Sequence, residues 1–331
     1  MEEPEIKPAP TVGVALGSGS ARGFAHIGVL KALCEMNIFP QVISGSSVGA
    51  FVGGAYISGN LSNLEELVCQ LNWKDVLSFF DFSFSGGGII MGERFSKFLA
   101  KYLGEKNIQD FDVKFCAVST ELSTGREVWF QKGLLHDAVR ASMSLPGLFT
   151  PVRINNQTLA DGGIVNPVPV STCRAMGADV IIGVNLNTDV VGKHFSEKQP
   201  KTIPIKLFDS FESEESTNPF KQRFMKTLKQ NMSNVLPIWN DTTKSKIPNI
   251  FDILASAINI MQDRITRSRM AIDPPDILIE PHLSHVGWIE YYRASDCIQE
   301  GYDAVFKNKD IIEKKIGINN EKNTEQNKSV E

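Results

Sequence analysis

Ile43-Ser44-Gly45-Ser46-Ser47-Val48-Gly49-Ala50 places a serine in a G-x-S-x-G pattern. The residues before it, Gln41–Ser44, read as a short strand, and Val48–Ser58 is rich in small residues that let a helix pack closely. On such a strand–turn–helix corner the serine sits in a sharp turn with its hydroxyl raised above the sheet edge. Gly45 and Gly49 leave room where the backbones of strand and helix nearly collide. The chemistry this suits is nucleophilic attack on an acyl carbonyl, with amides at the helix N-terminus facing the charge that develops. The same letters also spell a plain Gly/Ser turn; the strand before and the helix after favour Ser47 as a nucleophile.

A second loop, Leu16-Gly17-Ser18-Gly19-Ser20-Ala21-Arg22-Gly23, follows an apolar run and opens a helix. Its glycines allow backbone amides to converge on one point and bind an anion. A cofactor phosphate and a catalytic oxyanion both fit. The phosphate reading expects an acidic residue for the ribose about 20 residues on, at the end of the second strand. Gly45-Ser46-Ser47 stands there instead, which favours an oxyanion hole from the amides of Gly17, Ser18, Gly19 and Ser20. Arg22 has three readings: orienting the loop through its carbonyls, holding an anionic headgroup, or an ordinary surface ion pair.

A serine nucleophile needs a base. Leu159-Ala160-Asp161-Gly162-Gly163 is first a turn signal, but flanking Gly162 and Gly163 let the Asp161 carboxylate approach another loop. At its ordinary pKa of about 3.9 an aspartate is a poor base for an alcohol; burial would raise it. The commoner partner of serine is histidine. His26 lies beside Phe24 and Ile27 and reads as packed, and His136 and His194 have no supporting motif. His282 and His285 come late in the chain, as a triad histidine would, and keep that alternative open.

These loops need elements to hold them. Val12–Leu16 reads as a strand buried on both faces. Phe24, Ile27, Leu30 and Leu33 recur on one helical face. Two strand–turn–helix units in succession indicate an α/β protein with a mainly parallel central sheet. Further strands fit Phe115–Ser119, Glu127–Phe130, Val152–Ile154, Val180–Asn185 and Asp276–Glu280, with a closing helix over Ala294–Phe306. Residues 1–10 read as a disordered leader, and 307–331 as a polar tail. Residues 192–248 are more polar and read as an insertion in a domain spanning 11–306.

With 331 residues, 42% of them hydrophobic, the chain can bury one large core. Its formal net charge of −4 argues against a nucleic-acid partner. Cys34, Cys69, Cys116, Cys173 and Cys297 are odd in number and form no C-x-x-C pair, which suits a reducing, cytoplasmic setting and no thiolate metal site. No signal peptide and no membrane-spanning stretch is visible. Within 218–239, Phe220, Phe224, Leu228 and Val235 recur near helical spacing, with Lys221, Arg223, Lys226 and Lys229 among them and Trp239 after Pro237. That spacing predicts a basic amphipathic helix, docked either peripherally on a membrane or on protein.

Taken together, the glycine-rich loop ending in Arg22-Gly23, the G-x-S-x-G around Ser47 and Asp161-Gly162-Gly163 resemble the patatin-like phospholipase family. The likeness extends through Phe24-Ala25-His26-Ile27-Gly28-Val29-Leu30, Ala141-Ser142-Met143-Ser144-Leu145-Pro146-Gly147-Leu148-Phe149 and Gly177-Ala178-Asp179-Val180-Ile181. The chain is similar to short bacterial stand-alone members and to the catalytic domain of neuropathy target esterase. The resemblance implies a three-layer α/β/α fold and a cofactor-free, metal-free Ser–Asp dyad of Ser47 and Asp161, acting on phospholipids, lysophospholipids or simpler acyl esters. In one respect the chain departs from the pattern. The family usually has glycines where Ser18 and Ser20 stand, and serine adopts the needed backbone less freely.

Overall fold

The computed structural model describes residues 9–72, 93–146, 149–188 and 250–317. The chain divides into one unit of residues 1–191 with 257–331 and a second of 192–256; the sheet and the site lie in the first. The expected insertion at 192–248, its amphipathic stretch at 218–239, and His194 fall outside the described residues.

An eight-stranded sheet runs through this first unit. Its centre is β1 (Val12–Leu16), flanked in parallel by β2 (Val42–Ser46) and β7 (Val180–Val184). On one side β8 (Ile277–Ile279) joins β7, again parallel. On the other, β3 (Lys114–Glu121) runs parallel to β2, and then the direction reverses. The strands β4 (Glu127–Phe130) and β6 (Gln157–Asp161) both pair antiparallel with β3, and β5 (Val152–Ile154) pairs with β6.

The period of two along each strand divides the buried side chains into two cores, one per face. Val12, Val14 and Leu16 of β1, Ile43 of β2, Phe115 and Ala117 of β3, and Val180, Ile182 and Val184 of β7 belong to the larger core. Their neighbours Ala15, Val42, Cys116, Val118 and Ile181 belong to the smaller one. The larger core takes its other side chains from helices, among them Ile27, Leu30 and Leu33 of α1 (Ala25–Glu35), Val52 of α2 (Val48–Ile57), Leu64 and Val68 of α3 (Leu61–Gln70), Leu99 of α4 (Glu93–Leu103) and Leu135 of α5 (Leu135–Ser142). The smaller is closed by Val170 and Cys173 of the short α6 (Val170–Ala175), with Met270 of α7 (Ile250–Ile272) against it. Helices on both faces of a mainly parallel sheet make the three-layer α/β/α architecture expected above.

The helix α8 (Ala294–Lys307) crosses α1 at two glycines. A Cβ on Gly28 would stand 1.8 Å from the Ile298 carbonyl oxygen, and one on Gly301 2.0 Å from that of Ala25. The two backbones therefore touch, and neither position has room for a side chain. Beyond Lys307 the polar composition predicts a tail. The structure instead forms α9 (Lys309–Ile316), whose Ile312 is fully buried in the larger core. Ile316, four residues on and half-buried, packs against the same core, but two apolar side chains in a polar stretch are too weak a periodic signal to be read from sequence.

The pairing around β3 has a consequence for the site. A strand has two edges. The β4 ladder overlaps the β2 ladder at Ala117 and Val118, and the β6 ladder at Ser119 and Thr120. Both β2 and β6 must then lie on the edge opposite β4. The first occupies that edge up to Ser46 opposite Val118, and β6 takes it over at Asp161 opposite Ser119. The chain leaves β2 at Ser47, beside the place where β6 ends.

Candidate active site

Ser47 caps the N-terminus of α2 with φ 58° and ψ −126°. A non-glycine residue held there costs on the order of 1–3 kcal/mol, and such strain persists only where the surroundings fix it. Here they do. The Ser47 carbonyl accepts from the amides of Ala50 and Phe51. Its own amide donates to the Ser142 hydroxyl at 2.9 Å, and that hydroxyl donates to the Val118 carbonyl at 2.5 Å. Ser142 thus bridges the corner to β3 where β2 has ended, a role the sequence did not reveal. Gly49 lies so close to the end of β1 that a Cβ would stand 2.2 Å from the Leu16 oxygen, and a Cβ on Gly45 would strike the Ala50 backbone at 2.5 Å. The expected collision of strand and helix at these two glycines is present.

The Ser47 hydroxyl donates to Oδ2 of Asp161 at 2.5 Å, across 114 residues of sequence. The other oxygen, Oδ1, accepts from the Gly163 amide at 2.8 Å, and the Asp161 carbonyl accepts from the Thr120 hydroxyl at 2.7 Å. Asp161 is 1% exposed. Burial pushes its carboxyl up to about 7, against the Ser47 hydroxyl and the Gly163 amide, which favour the anion. A carboxylate poised near neutral pH and bonded to a strained serine hydroxyl can take that proton as the oxygen attacks a carbonyl carbon. Gly162 passes so near β3 that a Cβ would stand 2.1 Å from the Val118 oxygen.

The loop after β1 lies alongside. Of its four amides, two are already engaged: Gly17 donates to the Val184 carbonyl at 3.1 Å and Ser18 to the Pro167 carbonyl at 2.8 Å. Of the four amides expected to form a hole, those of Gly19 and Ser20 have no partner among the described residues. Ser20 takes φ 51°, a left-handed backbone that glycine would adopt without strain. Gly23 meets the Val48 side chain, where a Cβ would stand 1.8 Å away, locking the loop against the Ser47 corner.

Arg22 is 2% exposed, which rules out the surface ion pair. Its Nε donates to the Gly19 carbonyl at 3.3 Å and one terminal nitrogen to Asn259 Oδ1 at 3.0 Å. The loop-orienting reading is the one this geometry matches. Asn259 belongs to α7, which contributes a buried polar stripe of Asn259, Gln262, Asp263 and Thr266. Gln262 accepts from Asn187 at 3.1 Å, and Asn187 also donates to the Ser18 carbonyl at 3.3 Å. The signal for this stripe was present as polar residues three and four apart, but spacing alone does not say that the polar face is the buried one.

None of the described histidines bonds Ser47 or Asp161. His26, fully buried, donates from Nε2 to the Gly17 carbonyl at 2.7 Å, and burial lowers its pKa to about 4, so it is neutral at ordinary pH. His136 bonds the Gly104 carbonyl. His282 and His285 are both exposed.

The family model described as Patatin-like phospholipase matches residues 14–174, which include Ser47 and Asp161. An uncharacterized NTE family protein of Mycobacterium tuberculosis is 30% identical over 322 residues, covering 88% of this chain and 89% of its own. Lysophospholipase NTE1 of Yarrowia lipolytica is 33% identical over 185 residues, 54% of this chain and 13% of that far longer one. Among solved structures, VipD from Legionella pneumophila superposes with a TM-score of 0.51 at 14% identity, over 91% of this chain and 66% of that one, a likeness of fold alone. The chain belongs to the NTE-type patatin-like phospholipases, a family of carboxylic ester hydrolases.

Proposed function

We propose that the chain hydrolyses lipid acyl esters through a Ser47–Asp161 dyad. The observation that carries this reading is the 2.5 Å hydrogen bond from the strained Ser47 hydroxyl to the buried Asp161 carboxyl. Ser47 Oγ attacks the ester carbonyl carbon while its proton passes to Asp161 Oδ2. The carbonyl oxygen, now an anion, is held by the amides of Gly19 and Ser20 at the mouth of the first loop. Collapse of the tetrahedral intermediate breaks the bond to the alcohol, which leaves with the proton from Asp161. Water then attacks the acyl-serine, giving a proton to Asp161, and Asp161 returns that proton to Ser47 Oγ as the acyl bond breaks, releasing the acid and the free serine. The steps balance with water as the only co-reactant.

The substrate class we assign is a lysophospholipid, in line with the name of the fungal relatives. Among the described residues no helix is long and apolar enough to cross a membrane, so contact with a lipid surface would be peripheral, through the basic stretch at 218–239. A fluorophosphonate probe should label Ser47, and Ser47→Ala should lose both the labelling and the release of fatty acid from lysophosphatidylcholine. Full hydrolysis by Ser47→Ala, with labelling at another serine, would overturn the dyad.

A further inference from the structure

Ser20 stands where the family pattern has glycine, and its hydroxyl does not point idle into solvent. It shares a hydrogen bond of 2.9 Å with the hydroxyl of Tyr291. Ser20 begins a 3-10 turn, Ser20–Phe24, and the Tyr291 ring meets Phe24 at the other end of that turn, edge-on at 6.0 Å between ring centres. Between these contacts the Ala21 amide donates to the carbonyl of Trp288, three residues before Tyr291. One short segment therefore grips the turn at its start, middle and end.

We propose that Tyr291 is a positioning residue of the oxyanion hole, holding Ser20 in the left-handed backbone that aims its amide at the reacting oxygen. Glycine visits that conformation freely but also leaves it freely; serine is disfavoured there unless something holds it. The hydroxyl pair supplies the hold, so the serine is not a weakened glycine but half of a clamp. Burial raises the phenol's pKa, against the Ser20 hydrogen bond, which lowers it, and with a smaller upward push from the Asp161 carboxylate, so the clamp keeps its proton through the working pH range. The inference rests on the acyl-transfer reading above, because it presumes that the Ser20 amide faces a developing oxyanion.

The experiment is a double-mutant cycle on a short soluble ester, with kcat, KM and melting temperature measured for each variant. Tyr291→Phe keeps the ring against Phe24 and removes only the hydroxyl. It should lower kcat about threefold to tenfold, the range one ordinary hydrogen bond carries, with KM changed less than twofold. Ser20→Ala should lose a similar factor, and Tyr291→Phe added to Ser20→Ala should cost nothing further. Ser20→Gly should lose less than Ser20→Ala, because glycine reaches φ 51° without strain. Equal losses from Tyr291→Phe with and without the Ser20 hydroxyl would overturn the clamp, as would wild-type kcat in Tyr291→Phe. Either result, obtained while Ser47→Ala is inactive, removes the clamp and leaves the dyad standing. Activity in Ser47→Ala removes the dyad itself.

Discussion

At the scale of single residues, one carboxyl is placed to set how the proposed reaction responds to pH. As the proposed base, Asp161 must be ionised to accept a proton, and burial raises its pKa to about 7. The kcat/KM for a soluble ester should therefore climb as pH rises toward 7 and level off above it; a limb already complete at pH 5 would mean that another group is the base. Asp161→Asn should lose activity by orders of magnitude at every pH, since an amide nitrogen cannot take the serine proton. The same burial carries a stability cost with a defined sign. In the unfolded chain the carboxyl returns to its ordinary value of 3.8, so between about pH 4 and 7 the folded state holds more proton and stability falls as pH rises. Asp161→Asn should accordingly melt higher than the parent at pH 8, with the advantage gone by about pH 4. The residue types of this dyad are legible in sequence because Gly45, Gly49, Gly162 and Gly163 flank them. The environment that raises the pKa is not, because it is assembled from separate stretches of chain, among them Ser47, Thr120 of β3 and Ser144.

At the scale of elements, the crossing of α1 and α8 is the contact with the least slack. With Gly301 Cα against the Ala25 backbone, Gly301→Ala must push the helices apart, since a carbonyl cannot rotate away as a flexible side chain can. We expect a loss of about 1–3 kcal/mol, read as a lower urea midpoint at unchanged slope. Because α1 carries His26, which bonds the Gly17 carbonyl, the same variant should also lose esterase activity below its own melting point. The strands β1, β2, β3, β4, β5, β7 and β8, and the helices α1, α2 and α8, are legible from apolar runs, from the small residues after Ser47 and from the three-residue spacing of Phe24, Ile27, Leu30 and Leu33. The end of β2 was placed at Ser44 in sequence and at Ser46 in the structure, because Gly45 and Ser46 read as turn residues while the ladder with β1 and β3 continues through them. Tyr291 was illegible for a different reason: nothing local distinguishes an aromatic residue that clamps a loop from one that fills a core.

At the scale of the whole molecule, the site exists because two strands share one edge of β3, with β2 and the antiparallel β6 ending side by side on it. That handover cannot be read from either strand alone; the sequence offers Asp161-Gly162-Gly163 as a turn, and only the ladder shows which neighbour the turn faces. Ser142, bonded to both Ser47 and Val118, fills the seam. The seam also orders events in time. Helices such as α1 and α2 close through neighbours a few positions apart, whereas serine and aspartate meet across 114 residues and need both β2 and β6 paired on the same edge of β3. Long-range strand pairing is the slow part of building a sheet. On dilution from urea, helical circular dichroism should thus recover before ester hydrolysis does, and simultaneous recovery would mean the edge fills in one step. On the proposed mechanism a partly folded chain, however rich in native helix, would carry its serine with no base beside it, and turnover would begin only when assembly is nearly complete.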